Sequence, residues 1–381
     1  MSGQPYDYLI VGAGFFGATF ARQAADNGER CLVIDSADHI AGAAFDKEIE
    51  GIHVGMYGAH IFHTKSRQVW DYVQRFAAFN TFINKPKAIA SGNAYSFPIN
   101  LMTLAQVWGV TSPQEARAEL AAAAIKIPNP RNAEEWLLSR MGRLLYELFF
   151  YGYTRKQWHR EPSELPISIV QRVPIRLTYE ENYFSTDYQG MPIGGYTNLI
   201  GQMLDDWRIT VELATRYETK SYEEWCKIAR RIVYCGPVDR LVSGFPDLEY
   251  NTMRFEVALH EGDQQGNAVL NWCDYSVPAL RTIEHRHFYD LAHLTKHADA
   301  SEKDRNISVV TSDIPALYSE HPEPYYPIRD TRNSEVYAAC AKAAKLAFPR
   351  LTLGGRIGEY KYLDMDQTIA SAIAKYKALN K

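Results

Sequence analysis

The first forty residues carry a hydrophobic pattern that predicts a strand, a turn, a helix and a second strand. Residues 6–11 form an apolar run of strand-favouring side chains, and glycines follow directly at positions 12, 14 and 17. Small and apolar residues then recur at helical spacing. A second apolar run, residues 31–34, ends at an aspartate. The pattern therefore predicts a β-α-β unit at the start of the chain.

Two later stretches show different periods. Residues 103–151 alternate apolar and charged side chains with a helical period, and helix starts are predicted at Ser112 and Asn132. Residues 254–311 contain short alternating runs interrupted by glycine and proline, which predicts an antiparallel sheet.

Two segments from later in the chain are predicted to belong to the same domain as the first unit. Residues 232–237 predict a further strand of that unit, and residues 365–379 predict a last helix. We therefore expect a first domain that is discontinuous in sequence.

Composition narrows the protein class mainly by exclusion. The 381 residues include 41 Lys+Arg and 45 Asp+Glu, a net charge of −4, so no basic footprint for nucleic acid is evident. The apolar fraction of 46% is too high for a disordered chain, and the apolar runs are too short to span a bilayer. We expect a soluble globular protein that binds no nucleic acid.

The cysteines and the N-terminus favour a cytoplasmic protein. The five cysteines are an odd number, and no pair has the CxxC spacing of a zinc or dithiol redox site. Buried thiols in a reducing compartment explain them. No basic segment precedes the first hydrophobic stretch, and glycines break it, so we predict no signal peptide.

The glycine turn has the spacing of a dinucleotide-binding fingerprint. Gly12 permits a tight turn, Gly14 lets the backbone approach a pyrophosphate, and Gly17 lets helix and strand pack closely. The phosphates would lie at the helix N-terminus, where N–H groups and the helix dipole favour negative charge. Asp35 is placed to accept hydrogen bonds from a ribose. The fingerprint does not decide between FAD and NAD, although the small residues at 38–45 suit a flexible loop beside a flavin nucleotide.

Aromatic side chains, arginines and glycines cluster in segments predicted as loops. The chain has 25 tyrosines, whose rings pack on a base or sugar while offering a hydroxyl. The clusters are residues 58–63, 151–158, 171–176, 182–184, 281–285, 323–327 and 359–364. Each alone is compatible with packing, but together with a nucleotide cradle they favour a ligand site. His60 and His63 have no third ligand at a recognisable spacing, so we predict no metal site.

In their order along the chain these motifs resemble the prokaryotic-type UDP-galactopyranose mutase family, over nearly the whole length. The matching segments after the glycine fingerprint are residues 57–64, 152–154, 156–158, 172–176, 182–184, 192–197, 266–269, 281–285, 323–327, 354–356 and 359–362. The resemblance implies an FAD enzyme, active in its reduced form, that interconverts an NDP-hexopyranose and its NDP-hexofuranose, with UDP-galactose as the first candidate. It implies that N5 of reduced FAD attacks the anomeric carbon and that no electrons are consumed overall.

The resemblance also implies the fold class and its divisions. We expect an α/β fold with an FAD-binding Rossmann-like domain, a helical subdomain and an antiparallel β-sheet domain. The expected divisions are FAD domain 1–80, sheet domain 81–102, helical substrate subdomain 103–165, mobile loop 163–178, FAD and sheet connections 179–245, sheet domain 246–330 and FAD domain 331–381.

Site residues follow from the resemblance by position. Arg172 and Arg281 are expected to hold the diphosphate, because an arginine fork is permanently cationic and grips phosphate oxygens bidentately. Other residues expected at the catalytic centre are His63, Tyr326, Tyr362 and Asp364. Tyr326 and Tyr362 are also expected to bind substrate, as are Phe149, Phe150, Tyr153, Thr154, Trp158, Tyr183 and Asn267. The expected cofactor-binding residues are Gly12, Gly14, Phe15, Phe16, Gly17, Asp35, Ser36, Gly42, Ala43, His60, Ile61, Arg356, Asp364 and Met365.

Two departures from the family pattern keep the substrate open. Residues 41–45 are Ala-Gly-Ala-Ala-Phe where the family commonly has Gly-Gly-Asn-Ala-Tyr, and His159 stands where the family has glycine. TDP-fucose or another nucleotide sugar is therefore an alternative substrate. An amine-oxidase-like flavin oxidoreductase and a non-catalytic nucleotide-sugar binder are alternative functions. A homodimer and the identity of the flavin reductant stay open.

Overall fold

The computed structural model describes residues 4–171, 174–289, 306–321 and 323–380. The strands are, in chain order, β1 (Tyr6–Val11), β2 (Cys31–Ile34), β3 (Asp46–Ile49), β4 (Ile52–Gly55), β5 (Phe62–Thr64), β6 (Lys87–Ala90), β7 (Asn93–Ser96), β8 (Tyr188–Gly190), β9 (Ile209–Glu212), β10 (Ala229–Tyr234), β11 (Tyr250–Glu261), β12 (Val269–Trp272), β13 (Arg281–Glu284), β14 (Ile307–Ala316), β15 (Tyr326–Pro327) and β16 (Leu351–Leu353). The helices are α1 (Phe15–Asp26), α2 (Arg67–Val73), α3 (Leu101–Trp108), α4 (Pro113–Ala123), α5 (Ala133–Tyr146), α6 (Gly152–Trp158), α7 (Gly195–Leu204), α8 (Tyr222–Ile228), α9 (Thr331–Ala347), α10 (Gly355–Gly358) and α11 (Met365–Leu379).

A five-stranded parallel sheet forms the first domain. Its strand order is β16-β10-β1-β2-β9. Successive residues of β1 face opposite sides of the sheet: Tyr8 and Ile10 lie in the core beside α1, whereas Leu9 lies in the core with Trp225 of α8. The strand predicted at 232–237 is β10, which lies beside β1. The Rossmann-like domain and its discontinuity in sequence are therefore confirmed.

A second sheet has seven strands in the order β15-β11-β14-β13-β12-β6-β7. Its neighbours run antiparallel except β6 and β12, which are parallel. The antiparallel prediction for residues 254–311 is thus confirmed where that segment is described. The parallel pair is possible because β6 comes from a distant part of the chain, so no hairpin constrains its direction relative to β12.

The helices α3 to α6 build the predicted helical subdomain. The side chain of Ser112 accepts a hydrogen bond from the Glu115 N–H, and that of Asn132 accepts one from the Glu135 N–H. These caps confirm both predicted helix starts. A π-helical turn, Glu147–Tyr151, leads from α5 into α6. The buried side chains of the subdomain form their own core, separate from the core beside α1.

The last helix, α11, has the predicted bounds and packs against α1, where the Tyr376 ring meets the Phe20 ring at 5.5 Å. All five cysteines lie in described residues and are unpaired. Among the described helices, none is long and apolar enough to cross a membrane.

Candidate functional site

The turn between β1 and α1 forms a cradle for phosphate groups. Gly12 has a φ of +114°, which favours glycine, and a Cβ atom on Gly17 would lie 1.9 Å from the Gly12 carbonyl oxygen. A Cβ atom on Gly14 would come no nearer than 3.8 Å to another described residue. The N-terminus of α1 has neither a capping side chain nor an acidic first turn within the described chain. The N–H groups of the first turn, which no side chain caps, therefore fit an anionic ligand such as a pyrophosphate.

Phe15 and Phe16 contribute backbone to the cradle and side chains to the core. The Phe15 ring lies edge-on to Tyr196 at 6.0 Å, and the Phe16 ring stacks on Phe20 at 6.5 Å. A Cβ atom on Gly354 would come within 2.3 Å of the Phe16 ring. Glycine at position 354 therefore lets the chain after β16 approach the cradle.

Asp35 fixes the cradle from the end of β2. Its carboxylate accepts hydrogen bonds from the Ala13 N–H at 2.7 Å and the Ala37 N–H at 2.9 Å. A carboxylate oxygen can accept a second hydrogen bond, so Asp35 retains capacity for a ribose hydroxyl. Ser36 lies next to it on the surface.

The segment after β2 is a loop that a backbone hydrogen bond joins to the cradle. The Ala41 N–H donates to the Ala13 carbonyl at 3.0 Å, and a 3-10 turn, Gly42–Ala44, follows. Ala41 has a φ of +77°, a left-handed conformation that an alanine seldom adopts. The hydrogen bond to the cradle holds it there. Ala43 is exposed at the outer side of this turn.

His60 lies in a recess between the Rossmann-like domain, which contains the cradle, and the seven-stranded sheet. The recess is lined by Ala44, Asp46, His53, Gly55, Gly58, Ala59, His60, Met191, Tyr196, His285, Phe288 and Tyr289. Burial and the positive charges of Arg356 and Arg281 lower the pKa of His60 to about 4. His60 is therefore a neutral group near two cations. Ile61 beside it is buried in the core.

Arg281 is held by a buried carboxylate. Its Nε and Nη2 atoms donate to Oδ2 of Asp313 at 2.8 and 2.5 Å, across the pairing of β13 with β14. Burial opposes protonation, but the Asp313 carboxylate holds the pKa of Arg281 above its ordinary value. Burial also raises the pKa of Asp313, and the permanent charge of Arg281 opposes this rise.

Aromatic side chains from three parts of the chain gather near Arg281. Burial raises the pKa of the Tyr153 hydroxyl. The charge of Arg281 opposes this rise, whereas Tyr183 and Tyr326 add to it. The Tyr326 ring lies 6.2 Å from Trp158, and Gln157 Nε2 donates to its hydroxyl at 3.0 Å. The structure therefore brings these predicted substrate residues into one neighbourhood.

Tyr362 and Arg356 extend this group of aromatic side chains, the aromatic wall, toward His60. The Tyr362 ring lies 5.9 Å from Tyr326, and the Arg356 guanidinium lies 5.6 Å from the Tyr362 ring. Arg356 donates to the Leu363 carbonyl, from Nη2 at 3.0 Å. This contact fixes one edge of the guanidinium beside the start of α11.

His63, Asp364 and Met365 lie where β5 meets α11. The His63 ring stacks on Phe184 at 3.6 Å, and its buried Nδ1 atom has no hydrogen-bond partner among the described residues. Burial lowers the pKa of His63, while Asp364 and Asp366 oppose this. Asp364 caps α11, where its N–H donates to Gln367 Oε1 at 3.1 Å. Met365 packs against the core beside α1.

The remaining predicted substrate residues on the helices are mostly packed inside the subdomain. Phe149 and Phe150 lie in the π-helical turn and are buried, and the Phe149 ring meets Tyr95 edge-on at 5.1 Å. Thr154 is buried on α6. These three side chains are therefore packed in the interior of the subdomain rather than on an open surface.

Of the remaining predicted residues, Arg172 lies outside the residues that the structure describes, and Asn267 lies away from this neighbourhood. Arg172 falls outside the described residues, between the buried Val170 and Arg176, whose N–H donates to the Ile99 carbonyl at 2.9 Å. Asn267 donates to the Lys85 and Val269 carbonyls at 3.2 and 2.9 Å. It precedes the first residue of β12, whereas Arg281 pairs with Asn271 toward the other end of that strand. The structure therefore does not bring Asn267 to Arg281.

Three residues of this site were not predicted from the sequence. Asp313 pairs with Arg281, Gln157 holds the Tyr326 hydroxyl, and the Tyr325 hydroxyl donates to the Tyr57 carbonyl at 2.8 Å. Gln157 and Tyr325 lie inside recognised motifs, so their position was the available signal. Asp313 lies in an ordinary alternating strand, where no sequence signal marks it.

Comparison with known proteins gives consistent similarities. A family model described as UDP-galactopyranose mutase matches residues 148–362, and one described as an NAD(P)-binding Rossmann-like domain matches residues 10–76. A probable UDP-galactopyranose mutase of Klebsiella pneumoniae is 39% identical over 96% of this chain and 92% of its own. A dTDP-fucopyranose mutase of Escherichia coli is 35% identical over 96% of each chain. The crystal structure of a reduced UDP-galactopyranose mutase superposes with a TM-score of 0.75 at 14% identity, covering 98% of this chain and 95% of that one, which supports the fold.

Proposed function

The chain belongs to the UDP-galactopyranose mutase family, and we propose that it interconverts UDP-galactopyranose and UDP-galactofuranose with FAD as its cofactor. The observation that carries the proposal is the neighbourhood of Arg281, which joins a half-buried cation, the phenols of Tyr153 and Tyr326, and the neutral His60 near the nucleotide cradle. This arrangement supports a diphosphate site at Arg281 beside a flavin site at the cradle.

The residues around the cradle support FAD. The uncapped α1 offers N–H groups for the pyrophosphate, Asp35 offers acceptor capacity for a ribose, and the recess beside His60 lies between the two sheet domains. Reduced FAD, when bound, supplies a nucleophilic nitrogen at N5 for the anomeric carbon of the sugar. His60 stays neutral near pH 7, so it adds no positive charge beside the flavin.

The polar groups of the chain have assignable tasks. Arg281 holds the diphosphate while the bond between the sugar and the diphosphate is broken and remade, with Arg172 as its proposed partner. The rings of Trp158, Tyr326 and Tyr362 exclude water and hold the sugar in one orientation. His63 and Asp364, which lie close together, are the proposed groups at the far side of the sugar.

UDP-galactose is the first candidate because of the similarity to UDP-galactopyranose mutases. The similarity to a dTDP-fucopyranose mutase supports a second candidate, dTDP-fucose. A cytoplasmic location, supported by five unpaired cysteines, and a homodimer are further parts of the proposal. Size-exclusion chromatography with light scattering measures the oligomeric state.

The deciding experiment measures turnover per flavin under anaerobic conditions. The purified protein is reduced once with dithionite, incubated with UDP-galactose, dTDP-fucose and UDP-glucose separately, and the products are resolved by ring form. We expect many turnovers on UDP-galactose per reduced flavin and none with the oxidised protein. Consumption of one oxidant or reductant per product would support an oxidoreductase instead, and binding of nucleotide sugar without turnover would support a non-catalytic binder.

A further inference from the structure

Asp313 and Arg281 form a directed ion pair at the base of the site. Asp313 is fully buried, whereas the Arg281 side chain is 30% exposed. Both hydrogen bonds use the edge of the guanidinium formed by Nε and Nη2, and both end on the same oxygen, Oδ2. The pair therefore fixes the plane of the guanidinium and leaves Nη1 unengaged by Asp313.

Asp313 is itself confined. Its carbonyl accepts the Leu280 N–H at 2.8 Å, and its carboxylate oxygens lie 3.2 and 3.3 Å from where a Cβ atom on Gly58 would stand. A Phe255 ring atom lies 3.3 Å from the same point, so glycine at position 58 lets both side chains approach its backbone. Oδ1 is buried and has no partner among the described residues. The carboxylate therefore has little room to rotate, and Arg281 supplies its hydrogen bonds.

We propose that Asp313 is a positioning residue for diphosphate recognition: it orients Arg281 so that Nη1 and the outer N–H of Nη2 face the phosphates. This inference rests on the proposed function. An arginine side chain has several rotatable bonds, and fixing them before binding reduces the entropy lost on binding. We expect the orienting effect of Asp313 on Arg281 to outweigh the repulsion between its negative charge and the phosphates. A hydrogen bond from Arg281 to a phosphate depends on angle and distance, whereas Asp313 acts on the phosphates only from the other side of the guanidinium.

The two effects of Asp313 predict opposite results when its charge is removed. If Asp313 served mainly to offset the charge of Arg281, Asp313→Asn would bind diphosphates more tightly. If it positions Arg281, Asp313→Asn binds them more weakly, and Asp313→Glu does so too because the extra methylene shifts the carboxylate while its charge stays. Uridine, which lacks phosphates, should be insensitive to either substitution.

The experiment measures the dissociation constants of uridine, UMP and UDP by calorimetry on the flavin-loaded protein. We expect about tenfold weaker UDP binding in both variants, a difference of about 1.4 kcal/mol, with uridine binding unchanged. The matched control is Glu256→Gln, because Glu256 is exposed on the neighbouring strand β11, opposite Ser312. It should bind all three ligands like the wild type.

The same substitution made in the Arg281→Ala protein separates positioning from a general structural role. When Arg281 is already alanine, adding Asp313→Asn should leave UDP affinity unchanged and raise the Tm, because an unpaired buried carboxylate is removed. UDP binding as tight as wild type in Asp313→Asn or Asp313→Glu, or the same tenfold loss in the Arg281→Ala background, would overturn the inference. A flavin-loaded wild type that binds no UDP would instead refute the proposed function.

Discussion

At the scale of single residues, Arg281 shows how burial and pairing prepare a charge for binding. A guanidinium near the aromatic wall would be costly to desolvate alone, and Asp313 offsets that cost through two hydrogen bonds. The pair joins residues 32 positions apart on adjacent strands. We therefore expect removal of either partner to affect both folding and the proposed binding of the diphosphate.

Arg281→Ala is expected to lose about a hundredfold or more in turnover while it retains FAD, because the leaving diphosphate loses a charge-assisted contact. The variant should also lose about 3–5 kcal/mol of unfolding free energy, because Asp313 is left buried without a partner. Steady-state kinetics of the reduced enzyme and urea unfolding measure the two effects, and flavin absorbance is the control. Wild-type turnover in this variant would show that Arg281 does not hold the diphosphate.

His159 offers a second test at this scale. It ends α6 with a φ of +51°, and its N–H donates to the Arg155 carbonyl at 2.9 Å. A side chain in this left-handed conformation costs about 1 kcal/mol relative to glycine. His159→Gly should therefore raise the unfolding free energy by about that amount in urea, whereas His159→Ala should not. Equal stability of the glycine and alanine variants would contradict the strain argument.

At the scale of elements, β1, the glycine turn and α1 act as one unit. Gly17 serves the packing of α1 on β1, since its missing Cβ leaves room for the Gly12 carbonyl. Gly14 serves the open side of the turn, where the described residues leave space. The same motif thus contains one glycine that the fold requires and one beside open space, where we propose that a ligand binds.

Gly14→Val and Gly17→Val should separate these two roles. We expect Gly14→Val to fold with near wild-type circular dichroism but to purify without flavin absorbance, because the side chain occupies the path of the pyrophosphate. Gly17→Val should lose folded protein, because its Cβ would stand 1.9 Å from a backbone oxygen. Bound flavin in Gly14→Val after reconstitution would show that the cradle does not bind the pyrophosphate.

At the scale of the whole molecule, the buried His285 and the half-buried His60 lie where the Rossmann-like domain meets the seven-stranded sheet. Burial lowers the pKa of His285 to about 3, and burial with two nearby arginines lowers that of His60 to about 4. His285 Nε2 also shares a hydrogen bond with the Thr311 hydroxyl at 2.9 Å. Both rings are therefore expected to be neutral in the folded protein near pH 7.

This arrangement predicts acid sensitivity of the fold. Both folded-state pKa values lie below the ordinary value of 6.5, so the unfolded chain binds protons that the folded chain does not as pH falls from 6.5 toward 4. Stability should fall in that window, with His285 alone contributing on the order of 2 kcal/mol between pH 7 and pH 5. Urea unfolding of His285→Gln at the two pH values should show a correspondingly smaller difference.

The exposed His260→Gln is the matched control for this series and should retain the wild-type difference between the two pH values. An unchanged pH dependence in His285→Gln would mean that the buried ring is not the group that titrates on unfolding.

The sequence alone determined the elements whose signals are local. The glycine fingerprint, the caps at Ser112 and Asn132 and the period of α11 act within a few residues, so they predicted the Rossmann-like unit and several helix bounds correctly. The motif order also predicted the family and most of the residues that gather near Arg281.

Tertiary structure alone decided which distant groups meet. The pairing of Arg281 with Asp313, the parallel contact of β6 with β12, and the nearness of His60 to Arg281 and Arg356 depend on strand register and domain packing. Nothing within a few residues of Asp313 distinguishes it from another polar position in an alternating strand. Its role arises because folding buries it opposite a cation, and burial turns an ordinary carboxylate into one that must be paired.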